Sequence, residues 1–175
     1  MLFRSRNTPF MIQVFLLFYV LPFYGIRIPA NIVGIIGLAL FGSVYYAEII
    51  RAGIDAIPRG QLESARSIGM SHWQSMTNIV LPQTMRIILP PIGNQTLSLV
   101  KESSILSTIT VQELTMSALI VQGQTFRPFE VFIVITLLYW GINELIATSL
   151  RIYERRLKRR STLVLAGTSS NQRLS

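Results

Sequence analysis

The stretch "IPANIVGIIGLALFGSVYYAEII" (Ile28–Ile50) decides the fold class of this chain. It carries a single charged residue, Glu48, close to its end. A helix needs roughly 20 mostly apolar residues to cross the hydrocarbon core, so this run is long enough to span a membrane. Three more apolar runs lie at Pro9–Gly25, Thr96–Val121 and Phe129–Leu150. The sequence therefore predicts an all-α, polytopic membrane helical bundle with about four transmembrane helices.

The overall composition agrees with a membrane protein and excludes several kinds of catalytic site. Half of the 175 residues are hydrophobic and only 14% are charged, which is too few charges to cover a soluble globule. There is no cysteine and one histidine, so thiol catalysis, disulfides and thiolate metal sites are excluded. The sequence also lacks HExxH, GxSxG and Gly-rich phosphate-loop motifs. We expect a non-catalytic chain that binds no cofactor and no metal.

The basic residues are distributed unevenly between the two sides of the predicted bundle. If the chain starts in the cytoplasm, only Arg27 and Arg127 fall outside. The inner side then holds Arg4, Arg6, Arg51, Arg59, Arg66, Arg86 and the tail "RIYERRLKRR" (Arg151–Arg160). Since cytoplasmic loops carry the excess of Lys and Arg, both termini are predicted to be cytoplasmic. Residues 1–160 are interpreted as the transmembrane domain and 161–175 as a flexible cytoplasmic tail.

A polar segment separates the second and third apolar runs, and we call residues Pro58–Pro82 the elbow. Within it, "ESARSIGMSHWQSMTNIVLP" (Glu63–Pro82) has helix-compatible apolar spacing. Gly69 is a natural left-handed stop for a first helix, and Ser71 with Gln74 forms a capping box for a second. The elbow is therefore predicted to be a cytoplasmic helix-turn-helix of two short helices. Its small residues either admit the surface of another protein or simply pack the two helices together.

The sequence also supports expectations about the prolines at and after the end of the elbow, and about His72 within it. Pro82 and then Pro90 and Pro91 are expected to interrupt regular structure before the chain re-enters the bilayer. His72 has no partner at a suggestive spacing, so we interpret it as a solvated surface group. Gly34, Gly37 and Gly42 in the second run indicate close helix approach, either between subunits or within the chain.

The elbow resembles the EAA loop of ABC importer permeases in the identity and spacing of its residues. The matching residues are Glu63, Ser64, Ala65, Gly69, Ile79, Leu81 and Pro82, with Ser64 in place of the usual alanine. Other matches are "RSRNTPFMIQ" (Arg4–Gln13), "YYAEIIRAGIDAIPRGQ" (Tyr45–Gln61), "LVKESSI" (Leu99–Ile105) and "TFRPFEVF" (Thr125–Phe132). Over about Arg4–Leu157 the chain is similar to the transmembrane subunit of a polar amino acid ABC importer, of the histidine, glutamine, glutamate and arginine type.

This resemblance implies a mechanism and a set of partners. The elbow would sit in a groove of a separate ABC ATPase subunit, which uses ATP and Mg²⁺, and ATPase closure would turn the bundle outward. The residues expected to carry this coupling are Glu63, Ser64, Ala65, Gly69, Ile79, Leu81 and Pro82. The other implied partners are a second permease subunit, an extracytoplasmic solute-binding protein, an amino-acid substrate and the lipid of a bacterial inner membrane. Relatives usually have one more membrane helix before Arg4, so we expect this chain to lack that first helix.

Polar residues within the third run are candidates for lining a substrate path. Its densest polar cluster is Lys101, Glu102, Ser103 and Ser104, of which the first three are the candidates, and ionisable groups at membrane depth face protein or water more often than lipid. Glu113 is a weaker candidate. The main alternative from another class is a membrane-anchored helix-turn-helix DNA-binding regulator. Its second helix would offer no Arg or Lys to phosphate, however, so we expect no nucleic-acid partner.

Overall fold

The computed structural model describes residues 8–171, with side chains described over 8–155. It is helical, and no strand occurs within the described range, as the sequence predicted. The α-helices are α1 (Phe10–Phe15), α2 (Ala30–Asp55), α3 (Arg59–Ser67), α4 (His72–Ser75), α5 (Leu81–Glu102), α6 (Leu114–Thr125) and α7 (Pro128–Asn171). They are joined by π-helical turns at Leu16–Val20 and Met76–Val80 and by 3₁₀ segments at Leu21–Tyr24 and Ser103–Ile109.

Two helices are long and apolar enough to cross a membrane, namely α2 and the part of α7 over Pro128–Arg155. A third crossing is possible if His72–Ile109 and Leu114–Thr125, which are bent by 49°, together make one broken span. The first apolar run forms a shorter helical segment, Phe10–Tyr24, which includes π and 3₁₀ turns and ends at the left-handed Gly25. The expected number of four crossings is therefore not confirmed.

The helix that follows the elbow is interrupted at a different place from the one predicted. Pro90 and Pro91 lie inside the 22-residue helix α5, so the prediction that they interrupt regular structure is wrong. Membrane helices tolerate proline because neighbouring groups satisfy the carbonyls that it leaves free. The break comes instead at Thr110, whose φ of 63° is left-handed and ends the preceding 3₁₀ segment. The chain then resumes as α6.

The described chain forms two compact units. One joins the chain up to Ala47 with Gln95–Leu145, and the other joins Glu48–Asn94 with the chain from Ile146 onward. The first unit has a buried core of Phe10, Val14, Val33, Leu106 and Ile109.

Glycines of α2 allow close packing inside the first unit. A Cβ added to Gly34 would lie 2.9 Å from Leu106, and one added to Gly42 would lie 3.0 Å from Leu99. Of the two readings left open for these glycines, the structure supports packing within the chain.

The second unit contains the elbow and a similar close approach. A Cβ built on Gly53 of α2 would overlap Cγ2 of Ile88 of α5, so only glycine fits there without movement. Helix α7 continues to Asn171 and covers much of the segment predicted to be a flexible tail. The end of that segment, from Gln172, lies outside the described residues, as do Arg4 and Arg6.

Candidate functional site

The first helix of the elbow ends at Gly69 in the way that the sequence predicted. Gly69 has a φ of 81°, which is left-handed backbone that glycine adopts at little cost. Its N–H donates to the Arg66 carbonyl at 3.0 Å, and the Met70 N–H donates to the Ala65 carbonyl at 3.1 Å. These two bonds are the Schellman arrangement, which satisfies carbonyls at the end of α3 and reverses the chain.

The second helix of the elbow begins with the predicted capping box. The Gln74 N–H donates to Ser71 Oγ at 3.2 Å, and the Ser71 N–H donates to Gln74 Oε1 at 2.9 Å. The reciprocal bonds satisfy two backbone donors at the start of α4 and fix where the helix begins. His72 follows the cap directly and is exposed, as expected.

This second helix is not short, and here the structure corrects the prediction. From α4 the chain continues through the π-helical turn Met76–Val80 into α5, and Pro82 lies in the first turn of α5 without stopping it. Pro82 lacks a backbone donor, and it follows a turn where the hydrogen-bond register changes, so the missing bond causes no break there. The elbow is thus one short helix, a turn, and the beginning of a long helix.

A hydrogen bond between side chains holds α3 against the beginning of α5. The amide of Gln83 donates to Gln61 Oε1, 22 residues earlier, and to the Ile79 carbonyl at 3.0 Å. Both side chains are partly buried. No local pattern in the sequence pointed to this contact, because either glutamine alone looks like an ordinary polar surface residue.

The residues expected to carry coupling divide into exposed and buried ones. Glu63, Ser64 and Gly69 are exposed, whereas Ala65 is only 3% exposed and packs within the elbow. Of the remaining candidates, Ile79 is half-buried, while Leu81 and Pro82 are exposed. The structure therefore supports the packing reading for Ala65, and contact of Ser64 and Gly69 with another protein stays a prediction.

Two large apolar side chains, one on each side of the turn, are exposed. Ile68 is 78% exposed just before Gly69, and Trp73 is 74% exposed just after the cap. Ser64, earlier in α3, is exposed as well.

The candidate path residues lie together where α5 ends and the 3₁₀ segment begins. Lys101 is exposed and Glu102 is half-buried, and no ion pair joins these two described neighbours. The Ser103 hydroxyl donates to the Val100 carbonyl at 2.7 Å, and the Ser104 hydroxyl donates to the Lys101 carbonyl at 2.7 Å. Both serine hydroxyls therefore bond to carbonyls of their own helix end, and Lys101 and Glu102 are the charged groups of the cluster.

Glu113 has a larger structural part than the sequence suggested. Its carboxylate caps α6, accepting from the Thr115 N–H at 2.8 Å and the Met116 N–H at 2.7 Å. It also accepts from the Tyr139 hydroxyl at 3.0 Å. In the part of the chain that the structure covers, no group of three or more His, Cys, Asp or Glu residues is placed to hold a metal ion.

Comparison with known proteins finds relatives that align with most of the chain. The family described as binding-protein-dependent transport system inner membrane component matches residues 2–159. The probable amino-acid ABC transporter permease protein YckA of Bacillus subtilis is 39% identical over 151 residues, 86% of this chain and 67% of that protein. The L-cystine transport system permease protein TcyB of Bacillus subtilis is 34% identical, over 88% of this chain and 66% of that protein.

A solved structure has the same fold. It is described as the crystal structure of an amino acid ABC transporter with histidines, and it aligns with a TM-score of 0.83 at 41% sequence identity. The match covers 89% of this chain and 72% of that chain. With the family match, the similar permeases and the all-helical membrane fold, the chain belongs to the family of inner membrane components of binding-protein-dependent transport systems.

Proposed function

We propose that this chain is the transmembrane permease subunit of an ATP-driven ABC importer for polar amino acids. Its relatives include permeases named for glutamine and for L-cystine, which supports an amino acid as the transported substrate. A separate ATPase subunit hydrolyses ATP with Mg²⁺, and a second permease subunit and an extracytoplasmic solute-binding protein complete the importer. ATPase closure drives alternating access through the Glu63–Pro82 loop.

One observation carries this proposal, namely the construction of the elbow. Its turn is fixed by Gly69 on one side and by the Ser71 cap on the other. The capped helix then continues from His72 as far as Ile109. A push on the exposed turn therefore acts on the beginning of a long helix rather than on a loose loop.

The proposal also includes the orientation of the chain in the membrane and the residues that line the substrate path. The elbow and both termini face the cytoplasm, where the ATPase subunit is, because the basic residues concentrate on that side. Lys101, Glu102 and Ser103 line the substrate path. A carboxylate and an ammonium suit the two charged groups of an amino acid, since each finds an opposite charge there.

The test is association with the ATPase subunit after a change on the exposed side of the elbow. Ser64→Arg adds a long charged side chain at an exposed position of α3, so the chain should still fold. We expect co-purification with the ATPase subunit to fall at least tenfold, because a charge is buried in the interface without a partner.

Gln124→Arg is the matched control. It adds the same side chain at an exposed position close to the end of α6, on the side assigned to the exterior. Co-purification should not change in this variant. If Ser64→Arg also retains full association, the elbow is not the ATPase contact.

A further inference from the structure

A hydrogen bond between Gln61 and Gln83 joins the two helical arms of the elbow, and we call it the Gln61–Gln83 bridge. Gln61 is in the first turn of α3, and Gln83 is in the first turn of α5. The Gln83 amide nitrogen donates to Gln61 Oε1 across 22 residues of sequence, and both side chains are partly buried. Because partial burial limits water as an alternative partner, the bridge contributes to how the two arms are held together.

The Gln83 side chain is held in place on its own helix as well. Its amide nitrogen has two N–H groups, and one of them donates to the Ile79 carbonyl at 3.0 Å. The π-helical turn Met76–Val80 and Pro82, which has no N–H, change the backbone hydrogen bonding just before Gln83. Since the bond to Ile79 already orders this side chain, the bond to Gln61 forms with little further loss of side-chain freedom.

The bridge lies at the end of α3 that is far from the turn. The backbone bonds of the turn are at Gly69, whereas Gln61 is near the opposite end of this 9-residue helix. At a rise of 1.5 Å per residue, the two ends of α3 are about 13 Å apart. Bonds beside a pivot resist rotation weakly, because their lever arm is short. A bond at the far end of the arm is well placed to oppose a swing of α3 away from α5.

We infer that Gln61 and Gln83 are positioning residues that make α3 and the beginning of α5 move as one body. This inference rests on the proposed function, in which the ATPase subunit moves the exposed turn of the elbow. With the bridge closed, a displacement of α3 carries the beginning of α5 with it. With the bridge open, α3 swings while α5 stays behind, so ATP is hydrolysed without a transport step.

The test is Gln61→Met in the assembled importer, reconstituted in liposomes and supplied with glutamine or L-cystine, for which similar permeases are named. Methionine keeps the length of the side chain and removes the amide oxygen that accepts the bond. The loss of one hydrogen bond corresponds to roughly a three- to tenfold shift in an equilibrium. We therefore expect the number of ATP molecules hydrolysed per amino acid taken up to rise by about that factor, measured per assembled complex.

Gln61→Glu is the conservative variant at the same position. At neutral pH its carboxylate carries no proton and accepts from the Gln83 amide as Gln61 Oε1 does, so the ratio of ATP to amino acid should stay near the wild-type value. Gln124→Met is the matched control, because it makes the methionine change at an exposed position close to the end of α6. It should leave the ratio unchanged. If Gln61→Met does not assemble, Gln61→Ala removes the same acceptor and repeats the test.

A second measurement follows the bridge without ATP or transport. Hydrogen–deuterium exchange of the full chain in lipid nanodiscs reports the local opening of α3. The α3 amides should exchange several-fold faster in Gln61→Met, and at the wild-type rate in Gln61→Glu and Gln124→Met. The Gln74 amide serves as an internal reference, because it donates to Ser71 Oγ and takes no part in the bridge.

These two measurements separate the inference from the function that it rests on. If the wild-type importer takes up no amino acid, the proposed function fails and the coupling role fails with it, while exchange still shows whether the bridge holds α3. If the wild type transports, an unchanged ratio in Gln61→Met overturns only the inference, and so does a ratio that Gln61→Glu raises equally. Unchanged exchange of α3 in Gln61→Met overturns the inference as well.

Discussion

At the scale of single residues, Gly69 determines where the elbow turns. A Cβ added there would meet nothing within 4 Å, so space is not what requires glycine. The requirement is the left-handed φ of 81°, which an L side chain adopts only at a cost. Gly69 differs in this respect from the glycines of α2, where close packing against a neighbouring side chain is what requires glycine.

Gly69→Ala is therefore expected to destabilise the chain through the backbone alone. The loss should be about 1 kcal/mol, and Gly69→Asn should lose less, because asparagine tolerates left-handed backbone. Thermal unfolding of the purified protein measures both. An alanine variant as stable as the wild type would contradict this explanation of the turn.

At the scale of helices, the contact between α2 and α5 depends on Gly53. The position is buried, and an added Cβ would overlap Ile88 and come within 3.2 Å of Thr84. Helices in membranes associate through such small residues because the two backbones then approach closely.

Gly53→Ala should destabilise the chain by about 1–3 kcal/mol, as expected when a packed contact is overfilled. Ile88→Ala in the same chain should recover part of that loss, since it removes the methyl group that the new Cβ meets. Gly60→Ala is the control, because a Cβ there meets nothing within 4 Å and its φ is not left-handed. If Gly53→Ala and Gly60→Ala unfold at the same temperature, the close contact is not as described.

The elements differ in how far the sequence could predict them. The turn at Gly69 and the Ser71–Gln74 cap are local, so neighbouring residues were enough to predict both. The break at Thr110 was not predicted, because threonine rarely adopts left-handed backbone and Pro90 is a stronger local signal. Only the tertiary structure shows which of the two positions interrupts the helix.

Contacts between distant residues could not be predicted from the pattern at all. Glu113 and Tyr139 are 26 residues apart, and Gln61 and Gln83 are 22 apart. Helical spacing rules reach three or four residues along a chain and give no information at those separations. The sequence therefore identified the candidate residues of the elbow and the path, but it did not identify the groups that hold them in place.

At the scale of the whole molecule, the elbow is joined to long helices on both sides. Helix α2 leads into it, and the helix from His72 to Ile109 leads out of it. The second unit, which contains the elbow, has its own close contact at Gly53, and the first unit contains the Lys101–Ser103 cluster. Such a division suits a transporter subunit that receives energy at one place and handles substrate at another.

The central claim is that the ATPase subunit binds the elbow on the cytoplasmic side of the membrane and moves it. A single cysteine at position 64 tests this claim most directly. Since the natural chain has no cysteine, Ser64→Cys gives one site for a membrane-impermeant maleimide, and Gln124→Cys gives a control on the other side. We predict that Ser64→Cys is labelled in inside-out vesicles and not in intact cells, and that added ATPase subunit slows this labelling at least several-fold. Labelling of Ser64→Cys from outside intact cells, or labelling that the ATPase subunit leaves unchanged, would contradict the claim.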